Sequence, residues 1–187
     1  MKSYDEMEFH PECEKLVKIL CAKTQNTNPL FFRVLVSYYF TLVASMMRCS
    51  IATPDRGQIP VNMYAVNLAP SGAGKGHSIN IIEDQVINQF RYNFLQSTFP
   101  ALAEKNLAII AQQRAISKGT DIDDEVTRVE KEFASIGPML FTFDSGTSPA
   151  VKQARHKLLM AQAGSLNLQI DEIGNNLVSN AEVLSTF

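Results

Sequence analysis

The residues best suited to chemistry fall in two short segments. The first reads Ala69-Pro70-Ser71-Gly72-Ala73-Gly74-Lys75-Gly76-His77-Ser78. Glycines at 72 and 74 let the backbone turn so that successive N–H groups converge on one oxyanion. A helix is expected just beyond, and its N-terminus would add unpaired N–H groups and the positive end of its dipole. Lys75 would bring a point charge to the outer phosphates. Ser71, Gly72, Ala73, Gly74, Lys75, Gly76 and His77 are therefore the candidate nucleotide contacts, and Lys75 is also a candidate catalytic residue. His77 could equally pack against a helix face.

Two features depart from the usual phosphate loop. Its first glycine is replaced by Ala69, and the hydroxyl that should follow the lysine and bind Mg²⁺ is replaced by Gly76. Ser78, three residues past Lys75, is expected to turn away along the helix. The second segment, Leu166–Ile170 followed by Asp171 and Glu172, has the Walker B pattern of an apolar strand ending in adjacent acids. Asp171 would hold Mg²⁺ through water, and Glu172 would orient and activate the attacking water. ATP and Mg²⁺ are the cofactors this pair of segments implies. Asp144 and the turn 145–148 follow a further strand candidate, where they face either a γ-phosphate or nucleic acid, or cap a helix. Lys152, Arg155 and His156 cluster on one expected helix, with a solvated face as the default.

The elements that must position these residues are read from periodicity. Cys13, Leu16, Val17, Leu20 and Cys21 follow helical spacing after Pro11. The run Leu30–Met47 is apolar on most sides but carries Arg33, Ser37, Thr41 and Ser45, so it is expected to be a core helix and no membrane span. The stretch 53–60, with two prolines and Gly57, should be a loop. Strands are expected at Val61–Leu68, Met139–Phe143 and Leu166–Ile170. Helices are expected from about His77 to Leu95, over Pro100–Ser117, over Ile122–Phe133 with Thr120 or Asp121 as its cap, and from Thr147 or Ser148 to about Gln162. The charges of residues 121–132 should be a solvated helix face. The expected organisation is an N-terminal helical segment, 1–58, followed by an α/β core, 59–187.

Composition narrows the classes. The 187 residues suit one domain or a domain with a small appendage, and 45% are apolar, enough for a sizeable core. The 9 glycines and 8 prolines form no biased tract. A formal net charge of −2 excludes a surface that grips phosphate backbones all over, though not a local basic groove. Three cysteines are too few for a disulfide framework, and His10 with Cys13 finds no completing ligands in Cys21 and Cys49.

The succession 61–78 (VNMYAVNLAPSGAGKGHS), followed by 139–176, resembles the helicase-type ATPase domain of phage and plasmid replication proteins, the primase-helicase-like group. The likeness spans roughly residues 28–187 and includes Thr147, Ser148, Pro149 and Ala150, then Asp171, Glu172 and Gly174. It implies a RecA-like P-loop NTPase core and ATP hydrolysis coupled to movement on single-stranded DNA. It also implies assembly into a homo-oligomeric ring. Separately, three cysteines read as reduced thiols and an N-terminus without a signal-peptide pattern suggest a cytoplasmic location (the host cytoplasm for a phage-encoded chain). The sequence stops at Phe187, before the strands that in such ATPases carry a sensor and an arginine finger. The core is accordingly expected to be truncated after the Walker B strand and to bind nucleotide with little turnover by itself. Two other readings stay open. Glycine after the loop lysine is similar to adenylate kinases, although a long segment precedes the loop here. The third is a nucleotide-responsive assembly or packaging module that does not hydrolyse ATP.

Overall fold

The computed structural model describes residues 9–24, 26–68, 72–141, 148–167 and 169. About 70% of these are helical, and the only strands among them are two short antiparallel ones. The expected α/β, RecA-like core with a parallel sheet is therefore corrected: the described architecture is helical. Val61–Leu68 forms no strand, and Met139 and Leu140 lie in a 3₁₀ turn, Gly137–Leu140, with Pro138 in its first turn. The described residues 166, 167 and 169 of the third candidate pair with nothing in a ladder. Apolar alternation makes a segment compatible with a sheet, but a strand persists only when a neighbour takes its backbone hydrogen bonds. Phe141 is a turn residue directly after Gly137–Leu140, and residues 142, 143, 168 and 170 lie outside the described residues.

The chain divides into two compact units, Met1–Ala44 with Ser50–Phe90, and Ser45–Cys49 with Arg91–Phe187. In the first, α1 (Pro11–Thr24) and α2 (Pro29–Met46) supply most of the core. Val17 and Leu20 of α1 are buried, as are Phe31, Phe32, Leu35, Val36, Tyr39 and Leu42 of α2. A hydrogen-bonded ion pair joins the helices: Arg33 Nε donates to Glu14 Oε1 at 2.8 Å, and Nη2 donates to Oε2 at 3.1 Å. These bonds hold the Glu14 carboxyl below its ordinary value. Among the described residues α2 is the one helix long and apolar enough to cross a membrane, which is weak evidence, since a core helix passes the same test. Its buried face matches the core role, while Phe40 on another face is 51% exposed. Burial pushes the Tyr38 phenol up to about 12, with the charge of Glu83 adding to the effect.

The expected loop after α2 is instead a hairpin, β1 (Ser50–Thr53) and β2 (Gly57–Pro60), with Ser50 opposite Pro60 and Thr53 opposite Gly57. Its turn is built from Pro54, Asp55 and Arg56, and Gly57 takes a left-handed φ of 69°. The two prolines that suggested a loop stand where they do no harm, one in the turn and one at the end of a two-stranded ribbon. Farther on, the expected helix from His77 begins earlier and is not continuous. α3 (Lys75–Ile81) runs into a π-type turn, Ile82–Val86, in which Ile87 N–H reaches back five residues to Ile82 O at 2.9 Å.

The second unit begins with the end of α4 (Asn88–Asn93), a second π-type turn, Phe94–Thr98, and α5 (Phe99–Lys118). α5 buries every fourth residue: Phe99, Ala103, Leu107, Ala111 and Ala115. Gly119, left-handed at φ 66°, ends α5, and the Asp121 carboxylate caps α6 (Ile122–Ala134) by accepting from Asp123 N–H at 2.8 Å. α6 turns Glu125, Val129 and Phe133 inward. Phe99 stacks on Phe133 at 4.1 Å and on Phe94 at 5.7 Å. α7 (Ser148–Ala161) completes the unit with Val151, Ala154 and Leu158 buried.

Glu125 overturns the reading of residues 121–132 as a uniformly solvated face. Its side chain is 0% exposed, covered by the charged ends of its own partners: Lys118 Nζ at 3.1 Å, Arg128 Nη1 at 2.9 Å and the Thr120 hydroxyl at 3.2 Å. The Lys118 hydrogen bond is the main reason its carboxyl titrates below the ordinary 4.5. Unfolded chains bind more protons than folded ones between that depressed value and 4.5, so the stabilisation is present above about 4.5 and is lost as pH falls through the folded value. Thermal melts from pH 7 down to pH 3 should show the wild type losing stability below pH 4.5. Glu125→Gln should start lower and lose less over the same range; parallel curves would remove Glu125 from the acid response.

Gly164, at φ 66°, meets the same aromatic stack: a Cβ there would lie 2.9 Å from Phe99 Cε2. Gly164→Ala should cost at least about 2 kcal/mol, combining left-handed backbone strain with a displaced ring. Denaturant titration checks this, and a neutral result would mean that the turn after α7 moves away from Phe99.

Candidate functional site

The described part of the phosphate-loop segment is one tight turn leading into α3. Gly72 and Gly74 are left-handed, at φ 82° and 76°, with Ala73 between them. Left-handed residues set among ordinary ones turn neighbouring N–H groups toward a common side, the geometry of an anion-binding nest. Gly74 is the N-cap of α3, and Lys75 is its first residue. Ser78 N–H is bonded to Gly74 O at 2.9 Å, so the N–H groups of Lys75, Gly76 and His77 occupy the first turn, where a helix offers them no carbonyl. A Cβ placed on Gly72, Gly74 or Gly76 would meet nothing within 4 Å, so the space beside each is open. His77 is exposed and Lys75 half-buried. These residues fit phosphate oxygens in donor type and in room.

Ser78 is directed elsewhere. Its side chain is buried, and its hydroxyl donates to Gly74 O at 2.7 Å. The hydroxyl thereby reinforces the turn that ends the loop. A second support comes from a residue that sequence reasoning passed over: Asn26 Nδ2 donates to Ala73 O at 3.2 Å, while its Oδ1 accepts from Asn28 N–H at 3.0 Å. Asn26 lies in the polar run after α1, which reads only as a connection. No local pattern links an amide there to a carbonyl 47 positions away.

Ser71, Asp171 and Glu172 lie outside the described residues, as do Ala69, Pro70, Asp144 and the turn residues 145–147. The structure therefore brings together Gly72, Ala73, Gly74, Lys75, Gly76 and His77, and the acids read as the Mg²⁺ and water-activating pair have no described geometry. Among the described residues, no group of three or more His, Cys, Asp or Glu side chains could hold a metal ion. Cys13, Cys21 and Cys49 are free thiols, and burial raises the Cys21 thiol, which disfavours the reactive thiolate. Lys152, Arg155 and His156 are exposed on α7, in the other unit.

No family model matches the chain, and no curated protein or solved structure matches it either.

The orientation of Ser78 makes it a structural residue of the loop. Ser78→Ala should lower stability by about 1 kcal/mol, the worth of one buried hydroxyl hydrogen bond, and leave nucleotide affinity within about twofold. Paired denaturation and calorimetric titration check both parts. A tenfold loss of Mg²⁺-nucleotide affinity at unchanged stability would make the hydroxyl a ligand instead.

Proposed function

We propose that the Gly72–His77 turn binds the phosphates of ATP, and that the chain acts as the helicase-like ATPase domain of a phage or plasmid DNA replication protein. One observation carries the first part: two left-handed glycines flank Ala73 directly ahead of a helix whose first residue is Lys75. Backbone N–H groups would bind the inner oxygens, and the Lys75 ammonium would neutralise the outer ones. When bound, ATP supplies the phosphoanhydride bond and Mg²⁺ the charge neutralisation. Asp171 is assigned to the metal and Glu172 to the attacking water on the pattern of their segment alone. Single-stranded DNA and ring assembly rest on the sequence likeness, and a cytoplasmic location on the cysteines read as reduced thiols. The likeness is kept here for the loop and the acids, without the RecA-like fold it implied.

Lys75→Ala should weaken ATP binding by about tenfold or more, since it removes a charged contact to the phosphates. Isothermal titration reads this directly, and equal affinity in the variant would show that the loop is not the nucleotide site. Glu172→Gln should retain ATP binding and lose turnover, with the loss in kcat. Asp171→Asn should weaken the Mg²⁺-dependent part of binding. Stimulation of turnover by single-stranded DNA favours the helicase reading. ADP formation that depends on added AMP favours a monophosphate kinase, and tight ATP binding with no turnover in either assay favours the assembly module.

A further inference from the structure

The second unit holds a cleft that plays no part in the phosphate-loop reading. It measures about 310 Å³ and is formed by one face each of α5, α6 and α7. That volume is at the lower end of small-molecule sites. Leu107, Val129 and Phe133 line it as buried apolar residues, with Met160 as a further apolar wall. The rim is of another character. Arg114, Lys118 and Lys157 line the cleft against a single lining acid, Glu132.

Glu132 sits between two of these cations. Arg114 Nη1 reaches both of its oxygens at 3.2 Å, and Lys157 Nζ stands 3.8 Å from Oε2. The three side chains are 35%, 30% and 44% exposed for Arg114, Lys157 and Glu132, so these are partly solvated pairs. Pairs of this kind contribute little to stability, so displacing one costs little. Lys118 is tied to Glu125 at 3.1 Å and adds its charge at the same rim. The cleft thus already holds one carboxylate between cations donated by two different helices, with an apolar floor beneath.

We infer that the cleft between α5, α6 and α7 binds a phosphate monoester carrying an apolar body, the phosphate displacing Glu132 from Arg114 and Lys157 while the body packs against Met160 over the buried Leu107, Val129 and Phe133. Arginine favours phosphate through its planar, paired donors, and lysine adds a point charge. An inorganic anion would leave the apolar floor wet, and a neutral aromatic would leave the cations unused. The combination selects for both halves in one molecule.

1-Naphthyl phosphate is a probe of this chemistry, titrated by calorimetry against the whole chain. It should bind at least about tenfold more tightly than inorganic phosphate or 1-naphthol, because each lacks one half of the recognition. Lys157→Gln should weaken it by about tenfold, the loss of one charged contact. Glu132→Gln removes the competing carboxylate and should tighten binding by roughly threefold or more, a gain that damage to the fold would not produce. Circular dichroism on both variants monitors the helices. Equal binding of 1-naphthol, unchanged affinity in Lys157→Gln, or weaker binding in Glu132→Gln would each overturn the site. So would loss of naphthyl phosphate binding in Lys75→Ala, which would move it to the phosphate loop.

Discussion

The second unit depends on the face-to-face contact of Phe99 with Phe133, at 4.1 Å and 20° between ring planes. Phe99 is the first residue of α5, directly after a π-type turn, and Phe133 is near the end of α6. Stacking them sets how α5 and α6 lie together. The four-residue repeat of Ala103, Leu107, Ala111 and Ala115 continues the buried face of α5, with alanines leaving room for close approach. Phe94 stacks on the other side of Phe99, and Phe141 meets Phe94 edge-on at 6.0 Å. Gly164 comes up against the same ring with no room for a Cβ. A ring buried this fully stabilises by roughly 1.5–3 kcal/mol through transfer alone, and the stack adds about 0.5–1.5 kcal/mol. α5, α6, the π-type turn between α4 and α5, and the turn after α7 therefore share one aromatic anchor. The cleft is what remains at the far end of α5, where Leu107 gives way to Arg114 and Lys118.

Charge works in this unit as a clasp on top of that packing. Glu125 and Glu132 lie seven positions apart on α6 and each takes a cation from α5: Lys118 for the first, Arg114 for the second. The two differ in what surrounds the carboxylate. Glu125 is fully covered and its oxygens are taken by three partners, so an incoming anion gains nothing there. Glu132 is 44% exposed, with geometry loose enough for Lys157 to stand at 3.8 Å. One acid serves the fold, and the other guards an opening.

What could be read in the sequence followed the range of the forces involved. Helices are governed by contacts three and four residues away. α1, α2, α5, α6 and α7 accordingly fall close to where periodicity placed them, and Asp121 takes the cap role offered to it or Thr120. Strands need a partner that may be anywhere in the chain. Val61–Leu68, read as a strand, found no ladder, while the stretch 53–60, marked by its prolines as a loop, is part of a hairpin that starts at Ser50. The π-type turns at Ile82–Val86 and Phe94–Thr98 have no composition of their own. Each opens on a buried residue, Ile82 in the first and Phe94 in the second. The loop glycines were legible because a positive φ is a local demand that few other residues meet. Asn26, Arg114 and Glu132 were not, since each is defined by a partner on another element.

The turn at Gly72–Gly74 keeps a defined shape although no described strand leads into it. In a parallel sheet, the strand before such a loop orients it by its ladder hydrogen bonds. Here the described residues before the loop make no ladder, and the turn is held from its two other sides. Asn26 fixes the Ala73 carbonyl from the segment after α1, and Ser78 closes on Gly74 O with both its N–H and its hydroxyl. These contacts engage the carbonyls of Ala73 and Gly74, and in each planar trans peptide the N–H faces the opposite way. A left-handed glycine on each side of Ala73 is what lets the chain reverse twice within so few residues. The donors presented by the turn thus follow from where its acceptors are engaged, and Gly76 keeps the space over the first helical turn free of a side chain. A Cβ at 76 would meet nothing within 4 Å, so the space beside the first turn of α3 is open at this position.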